Sequence, residues 1–513
     1  MSKLSKIHSV VAVGLEPRLV EVEVDIGAGI PSLTIVGLPD KAVEEAKERV
    51  RLALKNSGFD FPPKKIVVNL APADVKKEGP SYDLPIAIGV LVAGGVIDIE
   101  KIKKTIFLGE LALSGEVRAT KGVVQAAILA KKLSSPLVAP EANRCEAELI
   151  PNIEFLPADN LKNLVSKIIE KGDNPLFAKT KKFTLKESDD FGEYDFVNIV
   201  GQAQAKRALE IAACGNHNVL LFGSPGGGKT LLSRSIVSIL PPMDEEEVLE
   251  VTKIYSVAGL LSENEPIVTH RPFRSPHHTT SAVAIIGGGT YPKPGEVSLA
   301  HKGVLFFDEF PEFPRSVLEA LRQPLEDKTV SVSRAQGTLH FPADFILIAA
   351  KNPCPCGYAG DETHECSCTN AQILAYNRRV SGPLLDRIDL QIQVGKMPFK
   401  SLASSAKEEP SNVIRKRIIL AREIQAKRSR EVIKKTKLNG CLAKKELELT
   451  SPLPQAAKNM LEAAIEQFDL TMRSYIKIYR VARTIADLEN SPGIRESHIA
   501  EALQYRMKES NSL

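Results

Sequence analysis

Apolar and polar residues alternate through Leu19–Ile26, Ser32–Val36 and Lys65–Leu70. That period of two marks half-buried strands. Between the second and third of these runs, Lys41–Asn56 carries a helical pattern, set off by the breaker Gly37–Leu38–Pro39 and ended by Ser57–Gly58. Residues 1–170 therefore read as one α/β domain. Residues 171–195 are polar and charged and read as a linker. A second α/β block spans 196–395. Its continuous apolar runs, Val219–Phe222, Val304–Phe307 and Phe345–Ala350, suit strands buried on both faces. Residues 396–412 form a polar junction, and 413–513 read as a helical domain with proline confined to Pro452, Pro454 and Pro492. No apolar run reaches the roughly 18–20 residues that span a bilayer. The N-terminal apolar stretch is soon broken by Glu16 and Arg18, a poor secretory signal. The expectation is a cytoplasmic protein with no membrane partner.

Composition changes this picture little. The 513 residues carry a net charge of +4, which neither demands nor excludes nucleic acid. Four of the seven cysteines crowd into 354–368, which is not the distribution of a disulfide scaffold.

The chemistry sits in the second block. After the strand Val219–Phe222, the segment Gly223, Ser224, Pro225, Gly226, Gly227, Gly228, Lys229 and Thr230 fits G-x-x-x-x-G-K-[ST]. Its glycines let backbone N–H groups close around phosphate, and the helix that follows adds positive potential. Lys229 is placed to reach the β- and γ-phosphates of ATP, and Thr230 to ligate Mg²⁺. Asp308 and Glu309 end the strand Val304–Phe307, at the edge where open α/β sheets bind ligands. Asp308 suits the Mg²⁺ shell, and Glu309 the orientation or deprotonation of the attacking water. Asn352, after the strand Phe345–Ala350, is a candidate γ-phosphate sensor.

These three motifs resemble those of the AAA+ superfamily. SGPLLDRIDL (381–390) is similar to the arginine-finger segment of the branch shared by magnesium chelatase subunit I and MCM helicases. The resemblance implies that Arg387 reaches the ATP of a neighbouring subunit. TMRSYIKIYRVARTIADLE (471–489) resembles that branch's second-sensor helix, with Arg473 first and Arg483 second as the sensor; the spacing does not choose between them.

A closer resemblance covers nearly the whole chain. The blocks at 30–59, 68–91, 107–118, 201–230, 271–279 and 381–389 are similar to the ComM/YifB family of magnesium-chelatase-like ATPases. It implies an N-terminal S5-like domain, similar to the Lon protease domain, then a doubly wound AAA+ P-loop core, then a helical lid, with ATP between core and lid. It also implies a homo-hexameric DNA motor for branch migration of recombination intermediates, as in natural transformation, with recombination proteins as further partners. The alternative is a protein-remodelling ATPase such as magnesium chelatase subunit I. Ser81 falls where Lon carries its nucleophile, but Val124 falls where the base lysine would stand, and Lys121 lies about one helical turn away. A serine without a base is a poor nucleophile, so this domain is expected to be non-proteolytic.

Loops at 270–281 and 287–296, and a hairpin at 329–341 turning near Ala335–Gly337, correspond in the resembling branch to inserts that point into the ring channel. Tyr291, Lys293 and Arg334 are the candidate DNA contacts, an aromatic ring for stacking and basic groups for phosphate. His277–His278 suits packing or substrate contact better than a metal. The basic run Val413–Lys437 is an auxiliary nucleic-acid candidate. Cys354, Cys356, Cys366 and Cys368 could hold a structural Zn²⁺, although C-x-C spacing is tighter than the usual C-x₂₋₄-C.

Overall fold

The computed structural model describes residues 4–170, 177–180, 191–262, 265–289, 293–334, 337–361, 363–396, 408–468 and 470–506. The chain divides into two compact units, residues 1–186 with 244–269, and residues 187–243 with 270–513. No helix is long and apolar enough to cross a membrane among the described residues.

The first unit is built on an eight-stranded sheet. From one edge its strands are Ala178–Lys179, Glu154–Ala158, Leu137–Pro140, Ile106–Phe107, Ser5–Val13, Glu16–Gly27, Lys65–Ala71 and Ser32–Val36. Ser5–Val13 and Glu16–Gly27 form an antiparallel hairpin with Val13 opposite Glu16, closed by a two-residue turn in which Gly14 takes φ 63°. The alternation in the sequence becomes physical here: Val20, Val22 and Val24 are buried while their neighbours face outward. The expected helix Lys41–Asn56 forms, capped by Asp40, which accepts from the Val43 N–H at 2.8 Å. Asp83–Ala93 is apolar on every side and is buried almost along its whole length. At its first turn Asp83 receives two hydrogen bonds from the Arg49 guanidinium, at 2.7 and 3.0 Å.

Residues 244–269 fall within the stretch expected to belong to the ATPase core, yet they pack in the first unit. Their helix, Glu245–Ala258, has an Asp244 cap, three glutamates in its first turn and Gly259 at φ 71° after its end. The acidic first turn suits the positive end of the helix dipole. Gln125 donates to the Lys253 carbonyl at 3.1 Å, and Ser256 donates to Gln125 and to Glu146, each at 3.4 Å.

The second unit holds a five-stranded sheet, ordered Phe273–Arg274, Val304–Phe307, Ile346–Lys351, Val219–Phe222 and Leu390–Gln393, with every neighbouring pair parallel. Val219–Phe222 lies between strands reached in opposite directions, the switch point at which such sheets bind ligands. The helices Ser411–Ile433, Lys444–Thr450, Gln455–Phe468, Met472–Leu488 and Glu496–Gln504 follow. Ile414, Ile418, Ile478 and Ile485 share one core with Val219, Leu221 and Ile348, so sheet and C-terminal helices are a single hydrophobic body.

Candidate nucleotide site

Phe222 hands the chain from the middle of the sheet to the loop 223–228, and Lys229 opens the helix Lys229–Ile239. The loop needs glycine in two ways. Gly228 takes φ 84° at the helix start, and a Cβ on Gly223 would lie 2.1 Å from the Val394 carbonyl oxygen. The Lys229 ammonium donates to the carbonyls of Gly223 (2.7 Å) and Ser224 (3.0 Å) and to Asn352 Oδ1 (3.1 Å). Burial lowers its pKa, against the raising effect of nearby Asp308. Thr230 Oγ1 donates to Asp308 Oδ2 at 2.9 Å. Four residues expected from three separate strand ends, Lys229, Thr230, Asp308 and Asn352, are thus brought together.

This donor set fits Mg²⁺ and ATP. A hydroxyl and a carboxylate, both hard oxygen ligands, stand side by side where a divalent cation would be held. The ammonium rests on oxygens that phosphate oxygens would replace. The helix that starts at Lys229 adds the positive end of its dipole to the same site.

Glu309 stands beside this set. Its backbone is left-handed at φ 50°, and its half-exposed carboxylate lies 3.4 Å from His278 Nδ1. His278 in turn packs edge-on to Phe313 and against His277. The partnership of Glu309 with His278 has no signature in the sequence, since the residues come from a loop and a strand end thirty-one positions apart.

Arg387 stands at the other end of the sheet. It precedes the strand Leu390–Gln393, in which Leu390 pairs with Val219 and Gln393 with Phe222, whereas the phosphate loop follows Phe222. Four strand residues at about 3.3 Å each separate the two edges. Arg387 donates to the Pro383 carbonyl at 2.6 Å and pairs with Glu326 at 2.5 Å. Arg473 lies 3.6 Å from the same Glu326 carboxylate. It therefore stands with Arg387 and away from Lys229 of the same chain. Arg483 is buried and held by Asp487 and the Ser491 carbonyl, each at 2.7 Å. Its position is that of a structural arginine. Glu326, where Arg387 and Arg473 converge, was not singled out from the sequence.

Asp389, from the same segment as Arg387, is buried. It accepts from the Asn218 N–H at 3.0 Å and lies 3.3 Å from Lys477. Burial alone would raise its pKa, but Lys477 and His217 hold it well below the usual carboxylate range.

Cys354, Cys356, Cys366 and Cys368 converge, with all four sulfurs within 4.8 Å of one another. Three of the separations are 3.3, 3.5 and 3.6 Å. Four thiolates around a tetrahedral zinc at about 2.3 Å would lie about 3.8 Å apart, so the cluster has the dimensions of a metal site.

Among the DNA-contact candidates, Lys293 is exposed on a short ribbon that pairs Gly287–Gly288 with Lys293–Pro294. Arg334 ends the first strand of the hairpin Thr329–Arg334 and Gly337–Pro342. Tyr291 and the side chain of Arg334 lie outside the described residues. The basic run at 413–437 is only partly a free surface. Arg415 lies over the Phe191 ring, Arg417 pairs with Glu210 and Glu409, Arg422 donates to the Ala213 carbonyl, and Arg428 pairs with Asp487. Lys416, Lys427, Arg430, Lys434 and Lys435 remain exposed. In the first unit, Val124 is buried, and a Cβ on Gly259 would lie 2.2 Å from the Lys121 ammonium, which places that lysine beside residue 259.

Family descriptions match in three stretches: "Subunit ChlI of Mg-chelatase" over 22–143, "Magnesium chelatase, subunit ChlI" over 195–402 and "Magnesium chelatase, subunit ChlI C-terminal" over 408–506. The competence protein ComM of Haemophilus influenzae is 42% identical over 508 residues, covering 98% of this chain and 97% of ComM. The chain belongs to the ComM/YifB family of magnesium-chelatase-like ATPases. The YifB protein of Escherichia coli is 41% identical over 505 residues, with 98% and 97% covered. Lon protease 2 of Bacillus subtilis is 28% identical over 186 residues, 31% of this chain and 33% of that protease. The ComM/YifB fold is thus an α/β protein with a ChlI/Lon-like N-terminal domain, a parallel-sheet AAA core and a helical C-terminal region. A magnesium-chelatase-type AAA core implies an ATPase that uses ATP and Mg²⁺.

Proposed function

We propose that this ComM/YifB-family ATPase assembles into a homo-hexameric ring that drives branch migration of DNA recombination intermediates. The observation that carries the ring is the separation of its hydrolytic groups between two edges of one sheet. Lys229, Thr230, Asp308, Glu309 and Asn352 gather at one edge, while Arg387 and Arg473 stand at the other, joined by Glu326. A chain so built supplies arginines that its own phosphate loop cannot use, and a neighbouring subunit can. Bound Mg-ATP supplies the phosphoanhydride. Glu309 orients water, Asn352 and Lys229 register the γ-phosphate, and the two arginines stabilise charge in trans.

DNA as the substrate is supported by the competence role in the name of the Haemophilus relative, by Lys293 and Arg334 on two-stranded ribbons, and by the five exposed basic residues between 416 and 435. The four cysteines are assigned a structural Zn²⁺; four thiolates leave no open position for catalysis. The rival substrate is a protein, as in magnesium chelatase. Measuring ATPase rates with branched DNA, unfolded protein or a porphyrin-loaded partner separates them. Stimulation by branched DNA, lost in Arg334→Ala with basal nucleotide binding kept, is the expected result. Stimulation by protein alone would overturn the DNA assignment.

A further inference from the structure

The cysteine cluster stands directly against the nucleotide site. Cys354 lies two residues after Asn352, whose side-chain oxygen accepts from Lys229. The segment from Cys354 to Cys368 contains no helix or strand among its described residues, so backbone hydrogen bonding does little to fix it. Yet it makes two close contacts with the phosphate loop. The backbone at Gly357 presses on Pro225: a Cβ there would lie 2.7 Å from Pro225 Cγ, and φ is 88°. Asp361 pairs with Lys396 at 2.7 Å, and Lys396, Thr363 and the neighbouring Ser224 hold its carboxyl well below the usual carboxylate range. Lys396 also lies 3.3 Å from His364 Nδ1 and 5.3 Å from the centre of the Tyr358 ring, which stacks on His364. Lys396 follows Val394, whose carbonyl oxygen is the atom that forbids a side chain at Gly223. The phosphate loop is therefore held between residues 394–396 on one side and the cysteine flap on the other.

We infer that the metal held by Cys354, Cys356, Cys366 and Cys368 is a clasp on the phosphate loop, so that its occupancy sets the affinity for nucleotide. The inference rests on the zinc assignment and adds a function to it. The sulfurs converge from the two ends of the flap, Cys354 and Cys356 from one and Cys366 and Cys368 from the other. A metal closes that loop and removes the entropy of holding Gly357 and Asp361 in place. Without it, Ser224 and Pro225 lose their outer support. The Ser224 carbonyl that holds Lys229 is then no longer fixed.

The test uses the full chain and a fluorescent ATP analogue with Mg²⁺. Zinc is counted by elemental analysis in the wild type, Cys366→Ser and Asp361→Ala, with circular dichroism to verify folding. Wild type and Asp361→Ala should carry one zinc per chain, and Cys366→Ser none. Both variants should bind the analogue about tenfold more weakly, the scale of one charge-assisted hydrogen bond. The double variant should lose no more than either single one, because both act through one flap. Should Cys366→Ser fail to fold, wild type stripped of zinc by a chelator takes its place and should bind the analogue about tenfold more weakly until zinc chloride is restored. Zinc present, with unchanged analogue binding in the folded variants, overturns the clasp and leaves a purely structural metal. No zinc in the wild type after incubation with zinc chloride overturns the metal assignment and the clasp with it. No analogue binding by zinc-loaded wild type would instead refute the ATPase reading.

Discussion

Glu146 offers a quantitative test of how the helix Glu245–Ala258 is held in the first unit. Its carboxyl lines a cavity of about 220 Å³ with Thr120, Lys121, Asn143, Ser256 and Gly259. Asn143 donates to it at 2.5 Å and Ser256 at 3.4 Å. Burial, which outweighs those two hydrogen bonds, pushes its pKa from 4.5 up to about 7. A raised carboxyl pKa means that the folded state favours the proton. The stabilising contribution of the protonated form is therefore complete below pH 4.5 and is lost as pH rises through 7. At pH 8 the unit carries a buried carboxylate that costs roughly 3 kcal/mol. Glu146→Gln keeps an acceptor for Asn143 and cannot ionise. Hydrogen exchange at the amides of residues 245–258, corrected for intrinsic rates, reads the effect locally. The variant should be protected roughly three-hundredfold more than wild type at pH 8, and only about fourfold more at pH 5. A difference that does not change with pH, or a less protected variant at pH 8, would refute the reasoning.

Further outcomes follow from the second unit. Arg387→Ala should lower the ATPase rate by roughly a thousandfold while leaving binding of the ATP analogue intact. Mixing it with Lys229→Ala subunits should restore part of the rate, because intact phosphate loops then meet intact arginines; no recovery would argue against action in trans. Glu326→Ala should lower kcat at unchanged nucleotide affinity, because it holds both arginines; a change confined to affinity would contradict that placement. His278→Ala frees the Glu309 carboxylate from a partly exposed pairing worth up to about 1 kcal/mol. Basal ATPase should then rise by up to about fivefold, and a fall would show that His278 positions Glu309 productively. In the first unit, no peptide cleavage sensitive to Ser81→Ala is expected from a serine whose base position is Val124.

The parts of this molecule that were legible in the sequence are those whose chemistry is local. Gly223–Thr230 and Asp308–Glu309 each carry strand, turn and reactive groups within about ten residues, so their roles could be read before any packing was known. The hairpin 329–342 announced itself by alternation. Contacts between distant loops left no trace. Glu326 meets Arg387 and Arg473 from sixty and nearly one hundred and fifty positions away, and neither spacing is a period of any element. The helix after Asp244 could be read as a helix, but amphipathicity does not say which surface it will cover. Charge alone does not sort the residues of 413–437. Arg415, Arg417, Arg422 and Arg428 belong to the run read as an auxiliary nucleic-acid candidate, yet each is engaged by another part of the second unit. Long arginine side chains can bury their stems while finding acceptors at the edge of a core.

The most direct test of the proposed DNA motor is ATP-driven migration of a synthetic four-way DNA junction, comparing wild type with Glu309→Gln. Wild type with ATP and Mg²⁺ should exchange the strands, and Glu309→Gln should bind ATP and the junction but move nothing. A stationary junction with wild type, together with an ATPase rate indifferent to DNA, would contradict the DNA motor and transfer the same ATPase to a protein substrate.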